Sequence, residues 1–235
     1  MGYGFKVIAE GPYACFTRPD IKTQRISYDV PTPGALEGML KSVYWKPAIR
    51  YVIDQIVVFN DIAFQNMAQS AAPPAADSAE RSGAANRLPQ LAMALGNVRY
   101  GIAFHFEMTG VQDDEPNPSK QYNMIMRRLR KGLCFRQPCF GLSACPVTHL
   151  RLVDDFDLDE ISPVIRAQGD VDLGSMLYGL TYREDAPPVR RDANRLVFAE
   201  QATAVYYHPR MIDGIIDVQR YRNPEPGQMK AEDAV

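Results

Sequence analysis

A run of the chain, residues 117–153, carries basic side chains and no acidic ones. Its seven cations are Lys120, Arg127, Arg128, Arg130, Lys131, Arg136 and Arg151. The whole chain has a formal net charge of −2, so this run is a local excess of positive charge in a slightly acidic protein. Local charge of this kind points to a polyanion as a candidate partner, whereas the average charge says nothing about partners.

The spacing within this run predicts one helix with a line of cations. Asn117 as N-cap, Pro118 in the first turn and Gly132 as the stop define its ends. The cations on the face opposite its apolar stripe are Lys120, Arg127 and Lys131. At 1.5 Å per residue they form a line about 10–17 Å long, which could follow the phosphates of a nucleic-acid strand. An ordinary solvated face is the alternative, although such a face usually carries interleaved Glu.

The segment after this helix, GLCFRQPCFG at Gly132–Gly141, could add further contacts. Glycine lets backbone N–H groups approach a phosphate, and phenylalanine can stack on a base. Arg136 adds a cation. Glycine and proline also simply form turns, so both interpretations stay open.

Histidines and cysteines offer other chemistry. His105 lies beside charged strand neighbours and is either a catalytic base or, as we favour without a partner in view, a packed or surface histidine. A zinc site could be built from Cys134, Cys139, Cys145 and His149. Their irregular spacing favours reduced thiols instead.

A first helix is predicted between Thr32, its N-cap, and Pro47, which stops it. Its C-terminal end carries Tyr44, Trp45 and Lys46. We expect Trp45, the only tryptophan, to close the core, because aromatic residues at a helix end usually pack there. Packing explains the polar tips of Tyr44 and Lys46 less well.

Most other segments have the pattern of strands. Asn97–Met108 alternates apolar and polar residues, and Ile49–Phe59 is β-branched and apolar. Shorter extended pieces are predicted at 5–9, 13–17, 26–30, 148–153, 171–182, 195–198, 203–209 and 211–218, with a break at Gly11-Pro12 and a tight turn at Asp213-Gly214. This order predicts an α+β fold, with a ferredoxin-like (RRM-like) N-terminal domain and a small antiparallel β-sheet C-terminal domain.

Composition predicts the domain limits. The ferredoxin-like domain covers residues 1–153, and it includes a mobile loop at 65–86 that is rich in small residues and proline. The β-sheet domain covers residues 154–222, and residues 223–235 form a disordered tail. The chain lacks an apolar run long enough to span a membrane and lacks a signal pattern at its N-terminus. We therefore predict a cytoplasmic protein without membrane contact.

Residues 27–56, SYDVPTPGALEGMLKSVYWKPAIRYVIDQI, resemble the N-terminal signature of the fifth CRISPR-associated (Cas) protein family, in its type I-C or Dvulg form within the RAMP superfamily. The resemblance continues in NVRYGIAFHFEM, in PSKQYNMIMRRLRKGLCFRQPCFG and in DLGSMLYGLTY, so it spans nearly the whole ordered chain. It implies a ferredoxin-like N-terminal domain followed by a C-terminal β-sheet.

The resemblance also implies an RNA-processing subunit of a bacterial CRISPR interference complex. In type I-C systems this subunit cuts precursor CRISPR RNA without a metal or other cofactor. It then stays on the 5′ handle of the mature CRISPR RNA and contacts the backbone and large subunits. DNA is a further candidate partner.

Three catalytic positions follow from the resemblance: Tyr44, Lys120 and the next position, where the family has His and this chain has Gln121. In metal-independent cleavage the 2′-hydroxyl attacks the adjacent phosphate, leaving a 2′,3′-cyclic phosphate and a 5′-hydroxyl. Lys120 suits the stabilisation of phosphorane charge, and Tyr44 could position or deprotonate the nucleophile, although an unperturbed phenol is a poor base at neutral pH. Gln121 can hydrogen-bond but cannot exchange protons.

The side chains expected to bind RNA are Lys46, Arg127, Arg128, Lys131 and Arg136. The departure at Gln121 leaves two hypotheses within the family. In the first, the chain cuts RNA: it cuts slowly, or Tyr122 or one of the three histidines substitutes, or the family His pairs with a position one residue away. In the second, it is a non-catalytic scaffold that only holds the handle. Outside the family, the basic helix could be nothing more than the surface of a plain globular domain.

Overall fold

The computed structural model describes residues 4–21, 24–69, 90–110, 117–182 and 202–222. The elements in chain order are β1 (Gly4–Ala14), β2 (Arg25–Ile26), α1 (Pro33–Val43), β3 (Ile49–Val58), β4 (Phe64–Gln69), β5 (Gln90–Met108), α2 (Pro118–Lys131), β6 (His149–Val153), α3 (Pro163–Gln168), β7 (Asp170–Asp172), β8 (Met176–Tyr182), β9 (Ala202–Tyr207), β10 (Arg210–Ile212) and β11 (Ile215–Asp217). None of the helices in these ranges is long and apolar enough to cross a membrane.

One large sheet dominates the structure. Its main path is β6-β1-β5-β3-β11-β10-β7, and every neighbouring pair on that path is antiparallel. The additional strands β2 and β4 pair with the long β5, and β8 pairs with β9 in a separate two-stranded sheet. The chain therefore has the predicted mixture of helices and strands, with a large antiparallel sheet and few helices. Strands from both sides of the predicted boundary after Val153 lie in the large sheet, and that boundary stays a prediction.

Strand β1 runs through the predicted break at Gly11-Pro12, so that prediction was wrong. Gly11 pairs with Val98 of β5, and the pairing resumes at Tyr13. On the other side of β1 the pairing with β6 ends at Glu10. Proline lacks a backbone N–H, so it is tolerated where one side of the strand has no ladder to complete.

Strand β4 occupies the start of the segment expected to be a mobile loop. Residues 64–69 pair in antiparallel register with residues 90–95, which extend β5 beyond the predicted start at Asn97. Residues 65–69 were predicted to belong to the loop, but they form a strand because β5 supplies their hydrogen-bond partners, so the predicted start of the loop was wrong. The rest of the predicted loop, the extended piece predicted at 195–198 and the predicted tail lie outside the described residues.

The predicted ends of both long helices are confirmed. Thr32 accepts a hydrogen bond from the N–H of Ala35, and Asn117 accepts one from the N–H of Lys120. Gly132 ends α2 in the left-handed region with φ of 63°, which favours glycine. Helix α1 ends at Val43, somewhat before Pro47, and this places Tyr44 at its C-cap.

The helices α1 and α2 pack on the sheet through the apolar stripes predicted for them. Leu36 and Leu40 of α1 and Ile125 and Leu129 of α2 are buried in one core. The inward face of β5 is buried as its alternation predicts. Its members there are Val98, Tyr100, Ile102, Phe104 and Phe106.

The C-terminal part adds short helical elements that the sequence did not predict, including 3-10 helices at Leu158–Glu160 and Val218–Tyr221. The short helix α3 begins at an N-cap, Ser162, and buries Ile165. The predicted turn at Asp213-Gly214 joins β10 to β11, and Gly214 has φ of 84°. These strands place β11 against β3 at the edge of the N-terminal strands.

Candidate active site

The helix ends that carry the implied catalytic positions meet inside the protein. The hydroxyl of Tyr44 donates a hydrogen bond of 2.7 Å to Oε1 of Gln121, across 77 positions of sequence. Tyr44 is 7% exposed and Gln121 is 2% exposed. A buried amide oxygen needs a donor, and the phenol supplies one. Two of the three positions implied by the resemblance are therefore in direct contact.

The backbone of Tyr44 is held on both sides. Its N–H donates to the carbonyl of Leu40, which closes the last turn of α1. Its own carbonyl accepts a hydrogen bond of 2.8 Å from the hydroxyl of Tyr51 in β3. Burial raises the pKa of Tyr51, so that phenol stays protonated and remains a donor. The position of the Tyr44 ring is thus fixed by both α1 and β3.

The backbone of Tyr44 is extended, with φ of −153° and ψ of 132°. Successive side chains of an extended segment point to opposite sides, so the side chain of Tyr44 points into the protein and that of Trp45 points to solvent. Trp45 is 55% exposed. The prediction that this tryptophan closes the core was therefore wrong.

Lys120 and Gln121 share the first turn of α2 but lie on different faces. Gln121 faces the core, whereas Lys120 is exposed. The backbone N–H of Lys120 donates to the side chain of Asn117, and that of Gln121 donates to the Asn117 carbonyl. The N-cap thus fixes both backbone positions. It leaves the ammonium group of Lys120 on the solvent side of the turn that carries Gln121.

Arg128 lies between the two helices rather than on the outer face of α2. Its guanidinium group lies over the ring of Tyr44, 5.5 Å from the ring centre, and its Nη1 donates a hydrogen bond of 3.0 Å to the carbonyl of Val43. The C-terminal end of a helix carries partial negative charge, which a cation stabilises. Arg128 was predicted only as an RNA-binding residue. The structure adds a contact with the predicted catalytic tyrosine.

The segment after α2 docks on the same end of α1 through Ser42, which the sequence analysis missed. The N–H groups of Phe135 and Arg136 donate to the Ser42 carbonyl, at 2.8 and 3.2 Å. Nε of Arg136 also donates to Oγ of Ser42, at 3.1 Å. The only sequence signal for this role is a serine in the last turn of a helix. A serine there more often bonds its own helix, as Ser42 also does through the carbonyl of Gly38.

The cations expected to contact RNA are mostly on the surface. The exposed ones are Lys46, Arg127, Lys131 and Arg136, while Arg128 is partly buried. Within the ranges that the structure describes, no carboxylate forms an ion pair with any of them or with Lys120. Within the described ranges, the exposed cations therefore lie on the surface without a carboxylate partner.

The three histidines each have a partner outside the pair of Tyr44 and Gln121. His105 lies 2.8 Å from Asp54, which also accepts hydrogen bonds from Gln219 and Arg222. His149 lies near Thr148 and His208 near Asp172. The network around His105 ties the C-terminal segment to β3 and β5, which agrees with the favoured interpretation of a packed histidine.

The described cysteines and acidic residues give no metal centre. All four cysteines are free thiols, and the described ranges contain no group of three or more His, Cys, Asp or Glu that could hold a metal ion. Cys134, Cys139, Cys145 and His149 therefore do not converge on a zinc site. Burial raises the pKa of the Cys145 thiol to about 12, so it remains a protonated core residue.

A family model described as CRISPR-associated protein (Cas_Cas5), in the form designated Cas5d, matches residues 5–219. This chain belongs to the Cas5d family of CRISPR-associated proteins. The match covers helices α1 and α2, the large sheet and the residues of the candidate site.

Named relatives and a solved structure agree with this membership. The chain is 36% identical over 192 residues to a CRISPR pre-crRNA endoribonuclease Cas5d of Mannheimia succiniciproducens, covering 76% of this chain and 85% of that protein. It is 28% identical over 226 residues to a protein of the same name from Thermus thermophilus, covering 91% and 90%. A crystal structure titled as a CRISPR-associated protein has 25% identity and a TM-score of 0.60, covering 91% of this chain and 90% of that one.

Proposed function

We propose that this Cas5d protein is an endoribonuclease that cleaves precursor CRISPR RNA within its repeat. Its relatives from Mannheimia and Thermus are named for that activity. The observation that carries the proposal for this chain is the hydrogen bond between Tyr44 and Gln121. It joins the two implied catalytic segments beside a surface of cations that no described carboxylate neutralises.

The cleavage that fits these residues uses the RNA's own 2′-hydroxyl. Its oxygen bonds to the adjacent phosphorus, the bond from phosphorus to the 5′ oxygen breaks, and the products are a 2′,3′-cyclic phosphate and a 5′-hydroxyl. The reaction needs a group that takes the 2′ proton, a group that protonates the 5′ oxygen and a cation for the phosphorane. It requires no metal or other cofactor.

In this proposal the exposed ammonium group of Lys120 contacts the cleaved phosphate. Tyr44 forms the floor of the site, where the hydrogen bond to Gln121 and the guanidinium of Arg128 hold its ring in place. The hydroxyl oxygen, whose proton is donated to Gln121, then accepts a hydrogen bond from the attacking 2′-hydroxyl and orients it. A preorganised polar group of this kind loses little energy to reorganisation during the reaction.

Gln121 holds the phenol but cannot relay a proton. In this proposal the 2′ proton therefore passes to solvent water and the 5′ oxygen takes its proton from solvent water, without the acid–base group that the family pattern supplies. Losing such a group commonly lowers a rate by about 10²–10⁴-fold. We therefore propose a slow nuclease. A scaffold that only holds the RNA is the alternative that Gln121 raises, and the names of the relatives do not favour it.

We also propose finer assignments for the fold and the partners. The strand order β6-β1-β5-β3, with α1 and α2 as the helical connections, supports a ferredoxin-like N-terminal domain, because that fold has the chain order β-α-β-β-α-β. After cleavage the protein would keep the 5′ handle through Lys46, Arg127, Lys131 and Arg136. As in the type I-C pattern, it would join the backbone and large subunits of the interference complex.

The test is incubation of the purified protein with its cognate repeat RNA in EDTA. We expect a product that ends in a 2′,3′-cyclic phosphate, and we expect Lys120→Ala to abolish it. Lys41→Ala is the matched control, because Lys41 is a cation of α1 that pairs with Glu37 outside the candidate site. RNA that stays intact but tightly bound would support the scaffold instead. An absence of salt-sensitive RNA binding would contradict both functions.

A further inference from the structure

Two large aromatic side chains beside the candidate active site are exposed to solvent. Trp45 is 55% exposed and Phe135 is 84% exposed. The other phenylalanine of the same segment, Phe140, is 1% exposed and packs edge-on against Phe16 and Tyr100. Of the two phenylalanines in this segment, only Phe135 is therefore left without a place in the core.

The two exposed rings belong to segments that are joined. The N–H of Phe135 donates a hydrogen bond of 2.8 Å to the carbonyl of Ser42, in the last turn of α1. Trp45 lies three residues after Ser42, directly beyond Tyr44. The extended backbone at Tyr44 turns Trp45 outward while the Tyr44 hydroxyl bonds Gln121. Both rings therefore project into solvent, from two segments that are hydrogen-bonded to each other at the end of α1.

Cations accompany these rings in sequence. Lys46 follows Trp45, and Arg136 follows Phe135. Both are exposed, and neither pairs with a described carboxylate. A surface that combines aromatic faces with unneutralised cations matches single-stranded nucleic acid, whose bases stack and whose phosphates carry the charge.

We propose that Trp45 and Phe135 form a stacking platform for unpaired bases of the RNA next to the cleaved linkage. The proposal rests on the proposed function, since it places the RNA at this site. Stacking contributes affinity through the ring faces, whereas Lys46 and Arg136 contribute through phosphates. The two kinds of contact therefore respond differently to base removal and to salt.

The test uses the full chain and its cognate repeat RNA with a 2′-deoxyribose at the cleaved linkage, so that the RNA binds but cannot be cut. Trp45 is the only tryptophan, so its intrinsic fluorescence reports on this site alone. We expect RNA to quench that fluorescence. We expect Trp45→Ala and Phe135→Ala each to weaken binding roughly 5- to 100-fold, with an unchanged slope of affinity against salt.

Two variants and one altered ligand sharpen the test. Trp45→Phe keeps a ring and should retain most of the affinity. Phe64→Ala removes an aromatic residue that is 42% exposed on β4 and should change nothing. Replacing the unpaired nucleotides one at a time by abasic ones should reproduce the loss at the stacked positions. With RNA that is abasic at a stacked position, Trp45→Ala and Phe135→Ala should bind as tightly as the wild type does.

The outcomes separate this proposal from the proposed function. Normal cleavage and binding by Trp45→Ala and Phe135→Ala, without quenching in the wild type, would overturn the platform and leave the nuclease intact. Normal RNA binding together with a failure to associate with the other subunits would overturn it in favour of a protein-docking surface. A wild type that binds no RNA would overturn both.

Discussion

At the scale of single residues, the contact between Tyr44 and Gln121 has consequences for both stability and chemistry. A hydrogen bond between buried side chains typically contributes about 0.5–1.5 kcal/mol net, and leaving a buried partner unsatisfied costs more. The same bond fixes which way the phenol points. A residue that cannot exchange protons therefore still has a structural reason to occupy the position where the family has histidine.

Gln121→His is the residue-scale prediction. An imidazole there can accept the hydrogen bond from Tyr44 and can also carry a proton, so we expect single-turnover cleavage to rise about 10²–10⁴-fold. The rate should acquire a dependence on pH, with a midpoint below the ordinary histidine pKa of about 6.5, because burial disfavours the charged imidazole. Asn123→His adds the same group at an exposed position of α2 and should do neither. An unchanged rate in Gln121→His would count against a role for this position in proton transfer.

Single residues also show the limits of sequence analysis. The chemistry available to Tyr44 and Lys120 could be stated from the sequence and the family resemblance. The burial of Gln121, the exposure of Trp45 and the placement of Arg128 over Tyr44 could not. Each depends on how α1 meets α2, and hydrophobic periodicity within one helix carries no information about a second helix.

At the scale of elements, Arg128 and Ser42 hold the end of α1 against α2 and the following segment. Arg128 binds the Val43 carbonyl, and Ser42 binds the backbone and side chain of Arg136. These bonds satisfy carbonyl groups that the last turn of a helix leaves without partners. The geometry of the candidate site therefore depends on a few polar contacts at one helix end.

The neighbours Arg127 and Arg128 provide a matched pair of variants. Arg128→Ala removes a charged hydrogen bond and the contact with Tyr44, so we expect it to lower the free energy of unfolding by about 1–3 kcal/mol and to slow cleavage. Arg127→Ala removes an exposed cation. It should leave stability within about 0.5 kcal/mol, weaken binding of all repeat sequences and reduce the salt slope by about 0.7. Urea unfolding and binding at several salt concentrations measure both, and equal effects of the two variants would contradict these roles.

The elements were predictable where local rules decide them. The caps at Thr32, Asn117 and Gly132 were found because capping needs particular residue types at particular positions. Strand β4 and the passage of β1 through Pro12 were missed. In both places the partner strand β5 overrides the local preference, and that partner is distant in sequence.

At the scale of the whole molecule, the large sheet joins the two predicted domains. Strand β11 pairs with β3, and Phe156 packs edge-on against Phe59. The sequence predicted the α+β class from the order of helical and extended segments. It could not predict this pairing, because short strands with similar alternation do not specify which partner they choose.

We expect the two predicted domains to unfold together, because their strands lie in one sheet and their apolar residues in one core. Urea unfolding followed by Trp45 fluorescence and by far-UV circular dichroism should give coincident transitions. A fragment ending at Val153 should be much less stable than the full chain, since it exposes the edge of β3 and removes Phe156. Two separate transitions, or a fragment as stable as the whole protein, would contradict this expectation.

The most direct test of the central claim is the cleavage rate of Tyr44→Phe in EDTA. The variant keeps the ring under Arg128 and removes only the hydroxyl that bonds Gln121, so it should bind the cognate repeat RNA as the wild type does. We expect its single-turnover rate to fall by about 10²-fold, because the attacking 2′-hydroxyl loses the group that orients it, whereas Tyr206→Phe on β9 should cut at the wild-type rate. Tyr44→Phe cutting at the wild-type rate, with the same 2′,3′-cyclic phosphate product, would show that the phenol between α1 and α2 takes no part in the reaction.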